Sequence, residues 1–418
     1  MIFFYILLIS LVVLLFFSIR YNRKYKVLKK RATLHAHEQA KVVPRYFSEE
    51  FLESKRSETD SFADETIRKI MEHGEEDQVN HMFRFLMKND QLISKDAHPE
   101  IIEYFKKTAI LPDWANKDMM AFGQENYIRH GLLIGMILFY KALPECYTGA
   151  KGAEVLLLSG RLNENNPVDD RFSKRMAETA LFIFNIMMPG GFEKDGKGIV
   201  AAQKVRLMHA IVRYHLKKHG RWNSKLFDEP INQEDMAGTL ISFSGLIILG
   251  LEMIGVELDS VEAESYIHCW SVIGHIMGVQ DDILPRNLKE AISLGYGILD
   301  HQKKESEAGH SLTKALLNFC ERKGPPFIHR EFHLTMMRFF IEPKYCEVLN
   351  LPAIDQAKID KLSGYVHLYV RFREFLENKA ILALAIKFID AKLLSLSIKY
   401  LSKNKLLHFY LPRSFNKD

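Results

Sequence analysis

The sequence predicts an all-α fold, and three observations carry that prediction. Apolar residues recur at spacings of three and four through most of the 418 residues, alternating strand-like runs are scarce, and no Gly-rich phosphate loop of either common type appears. With 47% hydrophobic and 26% charged residues, the chain can bury a large core. The formal charge of +5 is modest, and the basic residues gather near the two ends instead of alternating with aromatics, which argues against nucleic acid as a partner. Cys146, Cys269, Cys320 and Cys346 are dispersed without a Cys-x-x-Cys pair. Neither a zinc ribbon nor a disulfide framework is legible, and a reducing compartment fits.

Taken in order, Ile2 to Ile19 is an apolar run broken only by Ser10 and Ser18, close to the length that crosses a bilayer. Nothing basic precedes it and no small-x-small site follows, which favours an uncleaved anchor over residues 1–20 against a signal peptide. Arg20, Arg23, Lys24, Lys26, Lys29, Lys30 and Arg31 follow with no acid among them. By the positive-inside rule the body then lies on the cytoplasmic side, of an inner membrane or an endoplasmic reticulum. Residues 21–47 read as a basic juxtamembrane linker. Residues 48–113 read as an N-terminal helical layer, with helical patches at Phe62 to His73 and Asn80 to Lys88, turns at Pro99 and Pro112, and charges that form a solvated face.

Long apolar helices begin after Trp114. Gln124 to Leu143 reads as a buried helix, because Arg129, His130 and Lys141 cut the run too short for a second membrane pass. Ala153 to Leu162 and Phe172 to Met188 follow, then a Pro189-Gly190-Gly191 break, a helix from about Gly198, Gln233 to Leu251, and Val261 to Val279. Beyond Pro285 come Leu288 to Lys303, Leu312 to Cys320, Arg330 to Phe340 and Ile354 to Phe375. Ala380 to Leu407 mixes apolar residues with Lys387, Lys392, Lys399, Lys403 and Lys405. It reads either as a helix lying on an anionic membrane surface or as a packing helix.

Two helices carry polar faces that burial must account for. In Val205 to His215, Arg206, His209 and Arg213 recur at spacings of three and four on an otherwise apolar helix. Such a cationic face needs an anion, and one imidazole between two guanidiniums suits a metal whose ligand carries carboxylates, as haem does with its two propionates. A hydrogen-bonded core histidine is the competing reading. In Phe172 to Met188, Arg175, Glu178 and Thr179 share a second face. Either Arg175 and Glu178 pair internally, or this face stands across a pocket from His209, with Arg175 and Thr179 donating to dioxygen and Glu178 acting as acid or base. His215, His219, His268 and His275 read as structural. Asp281-Asp282 reads as a turn after a helix, because Pro285 stands where a magnesium-binding isoprenoid-synthase motif would need another carboxylate. Phe182, Met187, Met188, Phe243, Trp270 and Met277 are core positions that an apolar substrate tunnel would also use.

Several of these elements together resemble a known family. The series Ser159-Gly160-Arg161-Leu162, Arg175-x-x-Glu178-Thr179, Arg206-Leu-Met-His209-Ala-x-Val-Arg213, Asn232-Gln233-Glu234-Asp235 with Thr239-Leu-x-Ser242-Phe243-Ser244, and Met277-Gly278-Val279 with Leu284-Pro285 resembles the catalytic domain of the endoplasmic-reticulum-bound oxygenase MpaB and the bacterial latex-clearing rubber oxygenases. The resemblance spans a core of residues 114–351, leaving 352–418 as C-terminal helices. It implies a globin-like helical bundle around a b-type haem, and oxidative cleavage by O2 of a carbon–carbon double bond in an isoprenoid chain. It makes His209 the proximal iron ligand, sets Arg206 and Arg213 at the cofactor edge, and puts Arg175 and Thr179 on the distal side. Glu178 stands where latex-clearing enzymes carry a lysine, so a distal amine ligand does not carry over. A carboxylate there would remove an allylic proton or pair with Arg175. The whole reading is a membrane-anchored haem oxygenase, with a membrane-tethered haem-binding or electron-transfer protein as the alternative.

Overall fold

The structure is a computed structural model that describes residues 2–73, 97–158, 171–325, 327–377 and 380–401, together with Met82 and Leu86. The Ser159 to Leu162 motif, most of the Asn80 to Lys88 patch and the end of the Ala380 to Leu407 segment lie outside the described residues.

The first helix, α1 (Ile2–Lys41), runs unbroken through the apolar run and the basic stretch behind it. The expected linker is therefore helical over most of its length. No Pro or Gly interrupts Arg20 to Lys41, and Tyr25, Leu28, Ala32 and Ala36 recur at helical spacing to pack on Met119, Phe122 and Val261. Among the described residues, three helices build the N-terminal layer: α2 (Glu49–Lys55), α3 (Ser61–His73) and α4 (Pro99–Thr108). Ala63, Ile67 and Ile70 of α3 share one apolar cluster with Leu207, Met208 and Ile211.

The core follows with α5 (Lys117–Ile137), a π-helical turn at Leu138–Ala142, α6 (Leu143–Tyr147), α7 (Ala150–Leu158), α8 (Arg171–Met187) and α9 (Lys197–Lys218). A short turn, α10 (Ser224–Phe227), leads to α11 (Gln233–Phe243), α12 (Gly245–Met253), α13 (Ser260–Ile276) and α14 (Leu288–Gln302). The chain closes with α15 (Glu307–Lys323), α16 (Arg330–Phe340), α17 (Pro343–Val348), α18 (Gln356–Glu377) and α19 (Ala380–Leu401). Helix starts follow local chemistry. Asn116 accepts from the backbone N–H groups of Asp118 and Met119, and Asp259 and Glu262 form a reciprocal capping box. Among the described residues there is no strand, and the all-α class stands.

Helices α5 and α13 pair along the centre, with α1 and α19 laid against α5, and α3 and α8 against α9. Helix α5 is a core helix. The Gln124 amide donates to the carbonyls of Ile186 and Met188, and the Asn126 amide donates to that of Glu262. Gln233 to Leu251, expected as one helix, breaks at Ser244, whose hydroxyl turns back to the Leu240 carbonyl while Tyr266 donates to the carbonyl of Phe243. Gln233–Met253 is long and apolar enough to cross a membrane by composition, but 67% of its most apolar 18-residue window is buried, as in a core segment.

Candidate functional site

Helices α6 to α9 and α11 to α14 surround a cavity of about 250 Å³. Its walls are apolar in the main: Phe182 from α8, Val212 from α9, Leu240 and Phe243 from α11, Leu246 from α12 and Trp270 from α13. Phe243 and Trp270 stack at 5.2 Å between centroids. Of the six proposed tunnel residues, Phe182, Phe243, Trp270 and Met277 line it, whereas Met187 is wholly buried core and Met188 spends its carbonyl on Gln124.

Two predicted site residues face this cavity together, His209 from α9 and Arg175 from α8. Glu178 and Thr179 stand behind Arg175. The Arg175 guanidinium lies 3.7 Å from the buried carboxylate of Glu178, and the Thr179 hydroxyl donates to the Arg175 carbonyl at 3.0 Å. The internal pair and the pocket wall, posed as alternatives, are thus both present in one helix.

Arg206 and Arg213 have anions of their own. Arg206 donates through Nε and Nη2 to the two oxygens of Asp60, at 2.5 and 2.8 Å, and through Nη1 to the carbonyl of Ile276. Arg213 donates through Nε to Asp64 at 2.6 Å and through Nη1 to the carbonyl of Ile231, a cavity-wall residue. This cationic face is met by anions, and the chain supplies them from its own N-terminal layer. The charges of that layer are accordingly more than a solvated face. Asp60 also caps α3 by accepting from the Ala63 N–H, and burial holds the Asp64 carboxyl above its ordinary range. Arg213 Nη2 remains buried with no acceptor among the described residues.

The motif at the start of α11 ties the site to its surroundings. Asn232 accepts from the Asp235 N–H as N-cap, and Gln233 donates to the carbonyls of Thr59 and Gly278. Glu234 and Asp235 share Nη1 of the buried Arg56, and Asp235 reaches the cavity wall, where burial raises its carboxyl pKa. Gly278 adopts φ +86°, and a Cβ there would lie 2.4 Å from Asp60 Oδ2 and 2.7 Å from Arg206 Nε. Only glycine leaves room for the ion pair.

Sequence reasoning passed over Glu145 and Cys146, both on the cavity wall. Glu145 accepts from Lys141 Nζ at 2.6 Å, and burial pushes its carboxyl up to about 6. Burial also pushes the Cys146 thiol up to about 11, so it stays protonated and unreactive beside the Ser242 hydroxyl at 2.8 Å. The i, i+4 spacing of Lys141 and Glu145 was the available signal. The four histidines read as structural have partners of their own. His268 accepts from the Asn116 N–H, His275 pairs with Asp281, and His215 stacks on His219. Asp282 pairs with Lys55 in the turn after α13.

This geometry tests the haem expectation through its donor set. One imidazole faces an apolar chamber, and among the described residues no three His, Cys, Asp or Glu side chains converge to hold a bare metal ion. Apolar walls with one histidine among them are a donor set that would suit a haem. Neither Arg206 nor Arg213 lines the cavity; every nitrogen of Arg206 already has an acceptor, whereas Arg213 Nη2 has none among the described residues.

Among its described residues the chain is helical, and it brings one histidine and one arginine to a largely apolar cavity. Residues 128–372 match the catalytic domain of the ER-bound oxygenase mpaB/B′ and rubber oxygenase family, and the chain belongs to that family. It is 25% identical over 270 residues to the rubber oxygenase of Streptomyces sp. (strain K30), covering 62% of each chain, so it spans less than two-thirds of that relative. Its fold is that of a latex clearing protein solved in the closed state, with a TM-score of 0.62 and 21% identity over 84% of this chain and 90% of that one.

Proposed function

We propose that this chain is a membrane-anchored, haem b-dependent oxygenase that oxidises a carbon–carbon double bond of an apolar, isoprenoid-type substrate. The observation that carries the proposal is that His209 and Arg175 face one apolar cavity in a chain of this oxygenase family. His209 would hold the haem iron, and a haem bound there would supply the activation of O2.

The chain's own residues supply the rest. Arg175 offers a guanidinium to negative charge developing on oxygen, held in aim by Glu178 on one side and its own helix on the other. Thr179 locks that turn through its hydroxyl, and Glu178 is the buried acid or base nearest the guanidinium. Phe182, Phe243 and Trp270 exclude water and seat the apolar chain. Arg206 and Arg213 act as positioning residues, fixing the turn that carries His209 between Asp60 and Asp64, while Arg213 Nη2 is the donor left for a propionate. Ile2 to Ile19 would hold the body to the cytoplasmic face of a membrane, where apolar substrate is concentrated.

The test is oxygen uptake, with detection of carbonyl products, when solubilised haem-loaded protein is given isoprenoid alkenes. Uptake with cleavage is expected, and Arg175→Ala should lower kcat by roughly 100-fold. Haem-loaded protein that takes up no oxygen with any alkene would instead be the haem-binding or electron-transfer protein.

A further inference from the structure

A helix packed on a globular body shows an apolar inner face and a polar outer one. Helix α18 departs from that pattern. Its inner face, Leu362, Val366, Val370 and Arg373, packs on the core. Its outer face carries Tyr365, Leu368, Tyr369, Phe372 and Phe375, at spacings of three and four, all exposed, with Leu368 at 65% and Phe372 at 58%. Helix α19 repeats the feature. Leu382, Ile389, Leu393, Leu396 and Tyr400 recur at spacings of seven, four, three and four along one exposed line, with Phe388 beside it at 72%. Two adjacent helices with apolar outer faces form a patch that soluble surfaces rarely show.

The two stripes are held in fixed relation. Arg373 on α18 pairs with Asp390 on α19 at 2.5 Å and donates to the Arg129 carbonyl on α5 at 2.6 Å. Helix α19 in turn packs against α1, the rod whose amino-terminal half is the apolar run. On that rod Phe16, Phe17 and Ile19 are exposed just before the cluster of arginines and lysines.

We infer that the outer faces of α18 and α19 form a second membrane contact, lying in the interface of the bilayer that α1 enters, so that the body rests on lipid at a fixed attitude. This rests on the reading of Ile2 to Ile19 as an anchor. Three features select lipid over a protein partner. The stripe combines Phe and Leu with Tyr, the residue type that sits at the headgroup level with its hydroxyl in water. Exposed Lys361 leads into the α18 stripe, and Lys392 and Lys399 flank that of α19, as an anionic leaflet would require. The patch is also continuous, through α19, with the helix read as the anchor.

The test uses the full chain in phosphatidylcholine–phosphatidylserine vesicles with an environment-sensitive fluorophore on a single introduced cysteine. Cys269, Cys320 and Cys346 are buried and Cys146 half-buried, so an exposed site labels selectively. Labels at Phe372→Cys and Leu393→Cys should shift to the blue and be quenched by acyl-brominated lipid several-fold more than a label at Glu374→Cys on the flank of α18. A label at Leu11→Cys reads the anchor independently. Quenching at Leu11→Cys with solvent-like emission at Phe372→Cys and Leu393→Cys would overturn the docking surface and leave the anchor standing. Solvent-like emission at all three sites would overturn both. Concentration-dependent cross-linking between copies at Phe372→Cys, with no lipid quenching, would overturn the lipid assignment in favour of self-association. None of these readouts depends on haem or on turnover.

Discussion

Asp60 and Arg206 meet across 146 positions of sequence through two hydrogen bonds, and that pair decides how the turn bearing His209 is held. Both side chains are largely buried, so deleting one partner strands the other charge. Asp60→Ala should lose about 3 kcal/mol of stability in urea unfolding, and a cycle with Arg206→Leu should show strong coupling between the two. An Asp60→Ala protein as stable as the parent would mean that Arg206 draws its anion from elsewhere. The need for an anion was legible in the helical spacing of Arg206, His209 and Arg213, but its source was not. Asp60 and Asp64 sit in a charged layer where every acid looks like solvated surface until tertiary packing brings α3 onto α9.

At the scale of elements, the turn after α13 shows how backbone and site depend on each other. Gly278→Ala would strain a left-handed residue and drive a methyl group into the Asp60–Arg206 pair, at a cost of about 2 kcal/mol. Gly135→Ala in α5, where a Cβ meets nothing within 4 Å, should instead stabilise by about 0.5 kcal/mol. Thermal midpoints of the two variants moving in the same direction would contradict this reading. Most helices were legible because their apolar period is long and regular. Two features were not. The basic stretch behind the apolar run looked like a linker because its charges mask the Tyr25, Leu28, Ala32, Ala36 face. The Ser244 break was hidden because Ser242, Ser244 and Gly245 are small residues inside an otherwise apolar run, and the side-chain hydrogen bonds to the Leu240 and Phe243 carbonyls that accompany it depend on tertiary packing.

For the molecule as a whole, two buried histidines set an acid limit. Burial, with Arg129 and Arg373 nearby, lowers His130 to about 3, and burial lowers His268 to about 4. Each is held neutral in the fold, while its unfolded counterpart takes up a proton below the ordinary histidine value of 6.5. The stability they contribute is therefore complete above 6.5 and is lost as the pH falls toward their folded values, by up to about 1.4 kcal/mol per pH unit for each. Glu145 opposes them over a narrower range, since its raised carboxyl favours the fold once protonated below about 6. Urea midpoints should fall on acidification, and His268→Gln should flatten that fall; an unchanged slope would show that His268 is not held neutral.

The central claim, a haem held by His209, is tested most directly by the absorption spectrum of the solubilised protein, oxidised and dithionite-reduced, for the wild type and His209→Ala. The account predicts a Soret band in stoichiometric amount that is lost or shifted in the variant. A well-folded wild type that takes up no haem when haem is supplied, or a spectrum that His209→Ala leaves unchanged, would contradict it.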